Sequence, residues 1–116
     1  PRIDVLPERG SARAELEVER GRCYVSIARG GEGVEDLDLF LFDDAGVEVA
    51  RDLRRGAEAT VEHCAQGSGR YRLEVRAYRG RGAVGVASFV AQTRAEPASR
   101  DESIAVGEAL GDGPER

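Results

Sequence analysis

The sequence predicts an all-β protein, an antiparallel β-sandwich or jelly roll of seven to eight strands. Three observations carry this reading. Short stretches alternate apolar and polar residues, the signature of half-buried strands. Turn-forming residues separate them at near-regular spacing. No segment between Arg13 and Gln92 keeps a helical period over three turns.

Arg13–Val18 places Ala14, Leu16 and Val18 on one side and Arg13, Glu15 and Glu17 on the other. In Cys23–Ile27, the face with Cys23, Val25 and Ile27 is the more apolar and is assigned inward, leaving Tyr24 and Ser26 outside. Ala28–Asp36 holds three glycines and two glutamates and reads as a loop. Leu37–Phe42 is the most apolar strand and suits a central position, covered on both faces. Asp43-Asp44-Ala45-Gly46 predicts a type I turn closed by a left-handed glycine, and Val47–Asp52 returns as the partner strand. The charged stretch Leu53–Glu58 is a connection, and Ala59–Cys64 is a short strand ending in the turn Gln66-Gly67-Ser68-Gly69. Arg70–Tyr78 presents Tyr71, Leu73, Val75 and Ala77 inward and Arg70, Arg72, Glu74, Arg76 and Tyr78 outward. Arg79-Gly80-Arg81-Gly82 turns the chain into the last strand, Ala83–Gln92. The expected core is Leu16, Val18, Val25, Ile27, Leu37, Leu39, Leu41, Val47, Tyr71, Leu73, Val75, Val84 and Val86.

This divides the 116 residues into an N-terminal extension (1–11), a sandwich (12–92) and a flexible acidic tail or linker (93–116). The tail holds Pro97, Gly107, Gly111, Gly113 and Pro114, with only Ile104, Val106 and Leu110 as large apolar anchors. Residue 1 is Pro rather than Met, which fits a mature chain, an excised domain or a protein that lost its Met.

Charge and composition narrow the function. The net charge is -5, and arginine supplies all 17 positive charges. A chain this acidic is a poor partner for nucleic acid. No apolar run approaches the ~20 residues of a membrane-spanning helix, so no membrane insertion is expected. The single His63 has no positioned acid, Ser68 lies in no G-x-S-x-G elbow, and no glycine loop ends in G-K-[ST]. His63 and Cys64 are neighbours on a strand and point to opposite faces, which disfavours a Cys–His pair. The sequence therefore reads as non-enzymatic.

The middle of the chain carries three short motifs in order: D-x-D-L at Asp36, Asp38 and Leu39; D-x-x-G at Asp43 and Gly46; and G-x-Y-x-L-x-V at Gly69, Tyr71, Leu73 and Val75. Together they resemble the bacterial pre-peptidase C-terminal domain, a secreted β-sandwich appended to proteases and other exported enzymes. The resemblance runs from Ala12 to Gln92. It departs from the family pattern in carrying Cys23 and Cys64, and no catalytic domain accompanies the motifs on this chain.

The resemblance implies a non-catalytic accessory or structural module of an exported protein or surface assembly, extracellular or periplasmic, that contacts a protein partner or neighbouring domain. In that setting Cys23 and Cys64 read as one disulfide; two separate thiols of a cytosolic protein are the alternative. Some family members bind calcium. Here Asp36 and Asp38, two apart on a strand, with Glu35 and the glycine loop before them, offer hard oxygen ligands. The plainer reading is that these carboxylates cap turns and face solvent. A calcium- or carbohydrate-binding module is thus the alternative function, and calcium the one cofactor expected, if any. Arg70, Arg72 and Arg76 share one strand face and could dock an acidic partner; equally, they could pair across strands with Glu15 and Glu17.

Overall fold

The computed structural model describes residues 2–91. The predicted tail, 93–116, lies outside the described residues. Eight strands run in chain order: β1 (Arg2–Leu6), β2 (Ser11–Val18), β3 (Cys23–Gly30), β4 (Val34–Phe42), β5 (Glu48–Asp52), β6 (Glu58–Cys64), β7 (Gly69–Gly80) and β8 (Gly82–Val90). They form two antiparallel four-stranded sheets, β1-β8-β3-β6 and β2-β7-β4-β5. The all-β sandwich expected from the alternation is the fold.

The two sheets contribute unequally to the core. Large side chains come mostly from the second sheet: Leu37, Leu39 and Leu41 of β4 and Tyr71, Leu73 and Val75 of β7, all buried. The first sheet answers with smaller residues, Ser26 and Ala28 of β3 and Ala59 and Val61 of β6, together with Tyr24 and Val84. Close packing between two sheets ~10 Å apart favours this matching of large against small.

That asymmetry corrects the assignment of β3. Tyr24, Ser26 and Ala28 point inward, so Cys23, Val25 and Ile27 lie on the outer face and are only half-buried. Both faces of this strand are apolar enough for a core, and hydrophobicity alone chose the wrong one. The inward hydroxyls are paired: Ser26 Oγ bonds Ser88 Oγ at 2.7 Å, and Tyr24 Oη accepts the Glu19 N–H at 2.7 Å. Buried polar groups need such partners.

Three further expectations change. Residues 2–6 are not an extension but an edge strand, with Arg2 opposite Val86 and Leu6 opposite Gly82. The stretch 28–36 is mostly strand, because β3 continues to Gly30 and β4 begins at Val34. Only a tight turn separates them, and its backbone meets that of the β7–β8 turn: Arg81 N–H donates to the Gly33 carbonyl at 2.9 Å. Gly33 and Gly80 have φ of 95° and 80°, and a Cβ on Gly80 would lie 2.8 Å from the Glu35 nitrogen. Backbone contact this close requires glycine. Finally, Val47 belongs to the turn before β5 and is 58% exposed rather than core.

The Asp43 turn forms as predicted. Gly46 N–H donates to the Asp43 carbonyl, Asp43 Oδ1 accepts from the Ala45 and Val47 N–H groups at 2.9 Å, and Gly46 has φ of 85°.

Candidate functional site

The carboxylates singled out for calcium are placed separately by the structure. β4 is irregular on both sides of Asp36, which stands opposite Arg79 while Leu37 stands opposite Ala77. Asp36 is almost fully buried and accepts the Gly56 N–H at 3.2 Å; the next residue, Leu37, donates its N–H to the Gly56 carbonyl at 2.8 Å. Asp36 thereby clamps the connection between β5 and β6. Asp38 is half-buried and pairs in register with Arg76. Burial raises the Asp38 carboxyl above its ordinary value, and the nearby Asp36 and Asp52 charges add to this while Arg76 opposes it. Glu35 is exposed. Among the described residues no three His, Cys, Asp or Glu side chains converge as a metal-binding group.

Asp52 has a role that sequence reasoning did not assign. It ends β5, stands opposite the inward-facing Leu39, and its side chain is only 3% exposed. Here the chain crosses from the second sheet to the first. Asp52 Oδ1 accepts from Arg54 N at 2.9 Å and Arg54 Nε at 3.0 Å; Oδ2 accepts from Arg54 Nη2 at 2.9 Å and from Thr60 N, in β6, at 2.8 Å. One carboxylate thus ties the crossover to both sheets. The Arg54 guanidinium, helped by the Thr60 and Arg54 N–H groups, holds this carboxyl far below the usual carboxylate range despite burial. An acid with a depressed folded pKa stabilises the fold above its unfolded value of ~3.9 and loses that contribution as pH falls below it. Asp52→Ala leaves the Arg54 and half-buried Thr60 N–H groups without their acceptor and should lower the unfolding free energy by about 1.5–3 kcal/mol at pH 7. Urea unfolding of both proteins between pH 7 and 2 checks this. The gap should narrow below about pH 4, and a constant gap would show that the ionised carboxylate is not the source.

The arginine row of β7 is arranged as a cross-strand charge ladder. Arg70 bonds Glu17 at 3.1 Å and lies 3.8 Å from Glu15; Arg13 lies 3.7 Å from Glu74. The Arg72 guanidinium covers the Phe42 ring at 4.6 Å, and Phe42 stacks with Phe40 at 6.4 Å. Arg70 and Arg72 are therefore engaged within their own sheet, and Arg76 faces Asp38. Exposed pairs of this kind add little to stability.

Cys23 and Cys64 stand directly opposite each other on β3 and β6 and form a disulfide. It lies on the outer face of the first sheet, not in the core, with Cys64 exposed. His63, the neighbouring residue, packs its ring 5.8 Å from Tyr71.

The same outer face carries the second feature that sequence reasoning missed. Ile3 and Val5 of β1 are 76% and 79% exposed, and Phe89 of β8 is 55% exposed. With Val25 and Ile27 of β3 they make a broad apolar surface. A shallow groove of about 450 Å³ crosses it, lined by Ile3, Ile27, Arg29, Gly85, Ala87 and Phe89. Scattered exposed apolar residues are ordinary, but a contiguous patch marks an interaction surface. The signal in the sequence was the double apolar character of β3 and the run of small residues in β8.

Fold and surfaces define a disulfide-bonded antiparallel β-sandwich with one charged and one apolar outer face. No helix among the described residues is long and apolar enough to cross a membrane. No protein-family model matches the chain, and no curated protein matches it in sequence.

Proposed function

We propose that this chain is a non-catalytic accessory or structural module of an exported protein or surface assembly and that it works through protein–protein contacts. The observation that carries the reading is the apolar outer face of the first sheet, where Ile3, Val5 and Phe89 stand exposed. A disulfide within so small a sandwich supports an oxidising, extracellular or periplasmic setting. The motif resemblance to pre-peptidase C-terminal domains points the same way. Cross-linking in the native source, followed by identification of the attached proteins, tests it. A protein client captured by the natural chain and lost with Ile3→Asp/Val5→Asp supports the reading. Saturable binding of a small substrate with turnover, or no protein contact at this face, overturns it.

A second reading, a calcium-binding module, is favoured by the placement of Asp36 and Asp38 two apart on β4, where burial first and then the Asp36 charge raise the Asp38 carboxyl. A hard divalent cation relieves such crowding. Thermal melts in EDTA, calcium and magnesium decide it. On this reading calcium raises the melting temperature more than magnesium does, and Asp36→Asn/Asp38→Asn removes the difference. An unchanged melt at millimolar calcium leaves these carboxylates as turn and surface residues.

A further inference from the structure

We infer that the free edge of β2 pairs with β2 of a second copy of this chain, antiparallel about Ala14, so that the two four-stranded β2-β7-β4-β5 sheets join into one continuous sheet. The inference is independent of the client contact proposed for the first sheet, because it uses the edge of the other sheet and a different partner.

The first argument is the edge itself. The strands β1, β6, β2 and β5 end the two sheets, and β2, with 8 residues, is the longest of them. Its pairing with β7 runs from Ser11 to Val18 without irregularity. An edge this regular presents a row of unpaired N–H and C=O groups to a further strand. Alternation fixes which residues supply them. The carbonyl of Gly10, just before β2, accepts from the Ala77 N–H of β7. The even-numbered residues therefore bond β7, and Ser11, Arg13, Glu15 and Glu17 turn their backbone groups outward. The Arg13 carbonyl agrees: its partner is the exposed Arg2 side chain at 2.6 Å rather than a strand.

The second argument is charge, which selects one register. A two-fold pair must be complementary to itself, and outward-turned residues must stand opposite outward-turned residues for the backbones to bond. The two such registers that use most of the strand are centred on Ala14 and on Glu15. Centring on Glu15 sets that carboxylate against its own copy. Centring on Ala14 sets Arg13 opposite Glu15 on both sides of the axis, and Ser11 opposite Glu17. Opposite charges directly across an antiparallel pair attract, and like charges repel. The Ala14 register also continues the charge ladder of each sheet. Arg72 and Glu15 of one copy are followed in the same row by Arg13 and Glu74 of the other, alternating in sign. Glu17, beside Arg70, is separated from Arg76 of the other copy only by Ser11.

The third argument is the inward side of the same edge. A groove of about 390 Å³ opens there, lined in part by Ala14, Leu16 and Val86, all half-buried. The Ala14 register sets Leu16 opposite Ala12 of the other copy, a large residue against a small one, and Ala14 opposite itself at the axis. The added strand thereby covers part of an apolar row that one copy leaves half exposed. About eight backbone hydrogen bonds form across the pair. The exposed bond from Arg2 to the Arg13 carbonyl is given up, and the Glu15 N–H of the other copy takes that acceptor. A contact confined to one strand edge is small, so the dimer exchanges with monomer.

Sedimentation equilibrium of the full chain from about 10 μM to 1 mM tests this. The natural chain should move from monomer to dimer across that range. Arg13→Glu puts a carboxylate opposite Glu15 on both sides of the axis, and Glu15→Arg puts a guanidinium opposite Arg13; each alone should weaken dimerisation at least tenfold. Mixed in equal amounts, the two variants should dimerise with each other about as strongly as the natural chain does with itself, because every carboxylate then faces a guanidinium. Circular dichroism confirms that both remain folded. Phe89→Asp, on the apolar face of the first sheet, should dimerise like the natural chain. A natural chain that stays monomeric to 1 mM overturns the inference, as does a dimer unchanged in both charge variants or a mixture of the folded variants that stays monomeric. Loss of the dimer in Phe89→Asp overturns it too, by moving the contact to the first sheet. Capture of a different protein at that face leaves all of these readings unchanged, so the two proposals fail separately.

Discussion

Replacing both Cys23 and Cys64 by Ser should lower the unfolding free energy by about 4 kcal/mol, the chain-entropy value for cross-linking residues separated by 41 positions. The geometry favours a loss of this size. The two cysteines are register partners at the open end of the β3–β6 pair, so the bond joins strands that already meet. It fastens the edge strand β6 to the sheet and, through β3, to β8. Position on the outer face matters as well. With Cys64 exposed and Cys23 half-buried, replacement by Ser opens no deep cavity, so the loss should be dominated by freedom regained in the unfolded chain. Urea titration of the disulfide form and the double Ser variant measures the difference. Intact mass before and after reduction and alkylation establishes the bond itself. A difference below about 1 kcal/mol, the range of ordinary surface changes, would mean that the reduced chain already holds these strands together.

Much of the fold was legible because alternation and turn chemistry act locally. Seven strands, the Asp43–Gly46 turn and the inward faces of β4 and β7 follow from period two and from the preferences of Asp and Gly. β1 was harder. Its sequence R-I-D-V-L alternates, but it is short and sits beside Pro7 and Gly10, and its two β-branched residues face solvent. Nothing local distinguishes such an edge strand from a tail; pairing with β8 decides, and that is a property of the whole sheet. β3 failed for a different reason. Alternation reveals two faces but not which is inside when both are apolar. The choice was made across the sandwich, where the leucines of β4 leave room for Ser26 and Ala28 but not for a second row of large side chains.

The candidate site was less legible for the same reason. Spacing grouped Asp36 with Asp38, whereas the irregular register around Asp36 buries it against Gly56 and leaves Asp38 opposite Arg76. Asp52 looked like one more acidic residue at a strand end, and its role comes from the distant Thr60 N–H. The arginines of β7 were read correctly as an outward row, and the alternative in which glutamates of β2 pair with them describes Arg70. The apolar outer face could not be seen while Val25 and Ile27 were assigned to the core.

Leu39→Ala should cost about 2–5 kcal/mol, the range of a fully buried large-to-small change. Leu39 is 0% exposed and stands opposite Val75 on one side and Asp52 on the other. Truncation removes apolar contacts on β4, the strand between β7 and β5, and leaves a void that the neighbouring strands cannot close without breaking ladder hydrogen bonds. Its position next to Asp52 adds a second consequence. Leu39 and Asp52 are register partners and both are buried, so a cavity left at Leu39 should open space beside the Asp52–Thr60 bond. The combined change Leu39→Ala/Asp52→Ala should therefore cost less than the two single changes added together, by about 0.5 kcal/mol or more, as for residues sharing one contact. Urea unfolding of the natural chain, both single variants and the double variant measures this cycle. A Leu39→Ala loss under about 1 kcal/mol would place Leu39 at the surface. Strict additivity would show that the leucine and the carboxylate hold the two sheets together independently.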